Sequence, residues 1–88
     1  PHVWLQLTVK GADGSTQEYS FEGGAIGVLK RAGWMRDTVK PGDEVSINTH
    51  PFRNGKPGGS LELVTLSDGR RFAAGNGVPS ALVIGGEK

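Results

Sequence analysis

The sequence predicts an all-β, mainly antiparallel fold: a small OB-like barrel of five strands, with one short helix between the second and third strands. Three observations carry that expectation. Apolar and polar residues alternate with a period of two in several short runs, the pattern of strands buried on one face. Clusters of Gly, Pro, Asn and Asp separate those runs. One segment alone switches to helical spacing.

The first strand is read over Val3 to Lys10, with Val3, Leu5, Leu7 and Val9 on one face and Trp4, Gln6, Thr8 and Lys10 on the other. Gly11-Ala12-Asp13-Gly14 supplies turn chemistry, because Asp-Gly tolerates positive φ. Thr16 to Glu22 alternates again, with Gln17, Tyr19 and Phe21 on one face, so the two runs form an antiparallel hairpin. Gly23-Gly24 is expected to stop the second strand. Over Ala25 to Ala32, Ile26, Leu29 and Val28 gather on one side, and Lys30 and Arg31 come late, where cations complement the helix dipole. Gly33 suits a C-terminal cap. A helix of about two turns does not persist alone, so it must pack on the sheet, with Trp34 sealing it there.

Val39-Lys40-Pro41-Gly42-Asp43 carries the residues of a type II turn. It leads into a strand over Glu44 to His50. Pro51 to Gly59 reads as an exposed hairpin loop. Alternation resumes from Ser60 to Leu66, through Leu61, Leu63 or Val64, and Leu66. Ser67-Asp68-Gly69-Arg70 makes a tight turn into a short strand at Arg71-Phe72. Residues 1–72 are therefore assigned to the barrel, and 73–88 to a Gly-rich tail in which the apolar, β-prone Ala81-Leu82-Val83-Ile84 is a candidate added strand.

With 88 residues the chain fits one small domain. It has no Cys, which excludes disulfides and cysteine-ligated zinc. Ten basic and nine acidic residues give a net charge of +1, far from a strongly basic nucleic-acid binder. No apolar run approaches the roughly 20 residues of a membrane-spanning helix.

Several stretches are familiar in combination: Pro1-His2-Val3-Trp4-Leu5, then Glu22-Gly23-Gly24 with Leu29-Lys30-Arg31-Ala32-Gly33-Trp34, then Lys40-Pro41-Gly42-Asp43, and finally Val64-Thr65-Leu66-Ser67-Asp68-Gly69-Arg70. Together they resemble a domain-of-unknown-function family of small exported bacterial proteins. The resemblance implies a small β-barrel in the periplasm or outside the cell, and no catalytic residue comes with it. Family members have Ser-Pro-Asn where this chain has Ala25-Ile26-Gly27, which implies a poorly capped helix start. They also have a further strand before the Asn-Pro-His segment. The expectation is that Pro1 lies inside a longer precursor, and that the 81–84 segment, from this chain or a neighbour, fills the edge left open.

The candidate sites follow. His2 and His50 are weak metal candidates, for copper or zinc, because each stands beside a proline without the ligand spacing a metal site needs. No nucleophile elbow or triad context is present, so no enzyme activity and no cofactor are expected. Trp4 points away from the apolar set of its strand, either toward a partner or under the 73–88 tail. Exposed Trp and Arg residues are typical of interface centres. The partner-binding set is therefore Trp4, Arg53 and Lys56 with Leu82, Val83 and Ile84. The function expected is a non-enzymatic, exported binding or assembly module that meets protein partners, its own copies or a larger envelope complex, through a sheet edge and an apolar tail. The alternative is a binder of a small ligand, metal or single-stranded nucleic acid on the barrel face, with nucleic acid the weaker version because the net charge is so small.

Overall fold

The computed structural model describes residues 2–75 and 82–88. The first alternating run forms β1 (His2–Lys10) and the second forms β2 (Thr16–Ala25), paired antiparallel from Trp4↔Glu22 to Lys10↔Thr16. The turn between them closes with the Gly11 N–H donating to the Ser15 carbonyl at 2.7 Å. Gly23-Gly24 does not stop β2. The strand runs through both glycines to Ala25, and the Gly24 N–H donates to the Ala74 carbonyl at 2.8 Å. A Cβ at Gly23 would stand 3.5 Å from three atoms, an ordinary contact distance.

The helix α1 (Ile26–Arg31) starts at Ala25 with no side-chain cap, as the missing Ser-Pro-Asn implied. Its other end is well closed. Trp34 N–H donates to the Leu29 carbonyl and Gly33 N–H to the Lys30 carbonyl, a Schellman pair that needs the φ of +98° at Gly33. The Trp34 indole Nε1 donates to the Ala73 carbonyl at 2.8 Å, and its ring lies 5.6 Å from that of Phe72. The helix is thereby fastened to the barrel, as the sequence suggested.

Pro41-Gly42 makes the expected turn, with Asp43 N–H donating to the Lys40 carbonyl. It leads into β3 (Glu44–Pro51), which pairs antiparallel with β4 (Gly58–Leu66). Here the exposed loop is shorter than expected, because Gly58 and Gly59 belong to β4 and are buried. A register shift between Asn48↔Leu63 and Thr49↔Leu61 makes Glu62 the extra residue of a bulge. That bulge places Leu61 and Glu62, side by side in sequence, both in buried positions. The short β5 (Arg71–Ala73) extends the sheet beyond β4.

Strands β1, β2, β4 and β3 are closed into a barrel by β6 (Leu82–Glu87), which lies antiparallel between β3 and β1. The one parallel contact, β2 with β4 at Ser20↔Gly58, Phe21↔Gly59 and Glu22↔Ser60, completes the ring. The fold is therefore the small all-β barrel expected, five strands around and one extra, with the helix between β2 and β3. Ala81 lies outside the described residues, and β6 runs past Ile84 through Gly85 and Gly86. Leu5, Leu7, Phe21, Ile47, Leu61 and Val64 fill the interior, with Leu29 and Val39 packed in from one end.

Candidate functional site

The two edges of β1 are unequal. One is paired with β2 along almost its whole length. Across the other, β6 meets it at the single rung Thr8↔Glu87. From Val3 to Leu7, no strand lies opposite that edge among the described residues. The register shift between His2↔Ala25 and Trp4↔Glu22 sets Gly23 and Gly24 together opposite Val3, a bulge in β2 at this end of the hairpin.

An apolar groove of about 470 Å³ opens at the same place. Val3, Trp4 and Leu5 of β1 form one wall, Ile26 and Leu29 of α1 another, and Trp34, Met35 and Val39 the third. Leu5, Leu29, Val39 and Leu61 at its base are buried, so the groove ends on the core. Its upper residues are not covered: Trp4 is 51% exposed, Ile26 48% and Met35 73%. Large apolar side chains this open, gathered at one place, mark interaction surfaces. The charged side chains of the lining are all cationic, from Lys30, Arg36 and Lys88. A larger hollow of about 550 Å³ beside β6 contains Glu44 and Glu87 with Lys10 and no aromatic residue, so it has less to offer an apolar ligand.

Trp4 is half exposed on the outer face of β1, and its ring neighbour is Phe52, with centroids 6.5 Å apart. Phe52 begins the loop that carries Arg53 and Lys56, both exposed. That loop is shaped by Gly55 N–H donating to the Phe52 carbonyl and Lys56 N–H to the Asn54 side chain. Trp4 thus borders both the groove and the loop, whereas Arg53 and Lys56 are not part of the groove lining. Leu82, Val83 and Ile84 lie on β6 opposite Thr49, Asn48 and Ile47. Leu82 and Val83 are 55% and 60% exposed, while Ile84 is half-buried against the core.

The histidines do not converge. His2 Nδ1 lies 3.0 Å from the Glu22 carboxylate on the outer sheet face, and His50 is exposed opposite Ser60 on β4. Among the described residues no three His, Cys, Asp or Glu side chains gather as a metal site would require. The residues that sequence reasoning did not assign to a site are Ile26, read there as part of the packed side of the helix, and Met35, which carried no reading. Their signal was the thinness of a six-residue helix, too short to hide both of its sides.

No described helix is long and apolar enough to cross a membrane. No curated protein and no solved structure matches the chain. A model of a family of unknown function, DUF6152, matches residues 1–62, which span the β1–β2 hairpin, the helix, the Pro41-Gly42 turn, β3 and the first half of β4. With its groove walls and open strand edge inside that match, the chain belongs to the DUF6152 family of unknown function.

Proposed function

We propose that this chain is a non-enzymatic binding module that takes protein partners, including its own copies, by strand addition along the open edge of β1 and burial of the neighbouring apolar residues. The observation that supports this reading is the gathering of the exposed Trp4, Ile26 and Met35 beside Val3–Leu7, whose second edge faces no strand among the described residues. Unpaired main-chain groups supply affinity to an added strand, and adjacent pockets sort its side chains. The exposed Leu82 and Val83 on β6 provide a second apolar contact. A role in the periplasm or outside the cell, as a subunit of a larger envelope complex, belongs to the same proposal and rests on the motif resemblance.

Light scattering over a concentration series tests it. The mass is expected to rise above 9.2 kDa with concentration, to be insensitive to salt, and to fall back in Trp4→Lys. A chain that stays at the monomer mass, and whose Val3–Leu7 amide resonances ignore a blocked, neutral Thr-Val repeat peptide, refutes the reading.

The Trp4–Phe52 pair beside Arg53 and Lys56 favours a second reading, in which bases of a single strand stack on the aromatic rings. Glu18 and Glu22, cross-strand from Thr8 and Trp4, place carboxylates beside that surface and oppose phosphate. Strongly salt-dependent binding of single-stranded DNA would select this reading instead.

A further inference from the structure

We infer that the partner strand received by this groove is acidic as well as apolar: an extended segment that alternates apolar side chains with Asp or Glu. The inference rests on the proposed strand addition at β1 and deepens it. Every ionisable side chain in the groove lining is a cation, Lys30 from α1, Arg36 from the connector and Lys88 directly after β6. Three different elements therefore bring the same sign of charge to one apolar hollow.

None of these cations is neutralised within the described structure. The ion pairs there are His2 with Glu22, which borders Trp4 without lining the groove, and Arg70 with Asp68, and neither includes one of these cations. Lys88 Nζ donates instead to the Val39 carbonyl at 3.0 Å, which holds the ammonium beside a buried apolar wall. Positive charge next to a low-dielectric surface attracts anions more strongly than the same charge in open solvent. Like charges on the incoming strand would be repelled, so the rim both selects and excludes.

Geometry makes the pattern alternate. A strand laid along Val3–Leu7 turns successive side chains to opposite faces. One set faces Leu5, Leu29 and Val39 at the base of the groove, where only apolar groups are tolerated without loss of hydrogen bonds. The other set faces outward to the rim, within the reach of long, flexible Lys and Arg side chains. A purely apolar occupant would leave those charges crowded around it, and a purely acidic one would leave Trp4 and Ile26 uncovered.

The experiment uses the intact chain and three blocked heptapeptides, with Val alternating with Glu, Lys or Thr. Binding is read from peptide fluorescence anisotropy at low and high salt, and oleate is titrated as a lipid control. The Val-Glu peptide is expected to bind about tenfold more tightly than the Val-Lys peptide, with the difference shrinking in high salt. In Lys30→Glu/Arg36→Glu, two exposed sites where substitution leaves the core untouched, the order is expected to reverse. Equal binding of all three peptides overturns the acidic-partner inference and leaves strand addition standing. Failure of all three removes strand addition too. Saturable binding of oleate without binding of any peptide overturns both and assigns the groove to an anionic lipid.

Discussion

Asp13 and Asp68 show how single side chains at turns set the response of this protein to acid. The Asp13 carboxylate accepts from the Ser15 hydroxyl at 2.6 Å and from its amide at 3.0 Å, and these bonds hold its pKa below the ordinary value. Asp68 is held low first by the Arg70 amide at 3.0 Å and then by the Arg70 guanidinium at 2.8 Å. In the unfolded chain both titrate near the usual value of about 3.9. As pH falls through that value, the unfolded state takes up protons before the folded one does. Their stabilising contribution is therefore complete above about pH 4 and is lost as pH drops through the lower folded values. Chemical unfolding in steps from about pH 5 to about pH 2 should show a shallower loss of stability in Asp13→Asn/Asp68→Asn than in the parent chain. Matching slopes would show that these hydrogen bonds do not survive in solution. At this scale the sequence was highly legible, because Asp-Gly turns, the Pro41-Gly42 turn and the Gly33 cap all follow from local chemistry. Trp4 was legible as an outward residue but not in its pairing with Phe52, which depends on a loop 48 positions away.

At the scale of elements, the glycines carry what local reading missed. Gly23-Gly24 looked like a strand stop and Gly58-Gly59 like a loop, because glycine is a poor strand former without neighbours. In the fold, β4 passes so close to its neighbours that a Cβ at Gly58 would fall on the Ser20 carbonyl, and one at Gly59 on the His50 carbonyl. Gly58 also has a φ of +132°, which an L side chain rarely adopts. This is where β2 meets β4 in parallel, so the absence of a side chain is what lets the barrel close. Gly58→Ala should cost about 2–4 kcal/mol in denaturant unfolding, the range for overpacking combined with backbone strain. Amide protection should be lost first at Ser20–Glu22. A stable variant with an unchanged β2–β4 contact would mean that the closure has room to spare. Glu62 was equally hidden in the sequence: alternation through Leu61 and Leu63 conceals a bulge, since only pairing with β3 reveals the extra residue.

For the whole molecule, the governing fact is that the last strand completes a ring begun by the first. Alternation in each run announced strands, but which strands become neighbours is decided by long-range pairing that no local pattern records. β6 holds this central place without a single buried residue, bonded to β3 from Glu44↔Glu87 to Thr49↔Leu82 and to β1 at one rung. The burial of apolar surface that stabilises β1 to β4 is largely missing from it, so main-chain hydrogen bonds carry most of its attachment. Such an element opens at a lower free energy than the core around it. Native-state hydrogen exchange should therefore find the amides of Leu82–Glu87, and the β3 amides bonded to them, exchanging through an opening well below the global limit set by Phe21 and Ile47. Opening of that kind would bare the edge of β3 as well as that of β1, and would let β6 leave for a second copy while a partner strand takes its place. If β6 exchanges only with global unfolding, it is a fixed stave of the barrel, and recognition is confined to the edge of β1 and the cation-rimmed groove beside it.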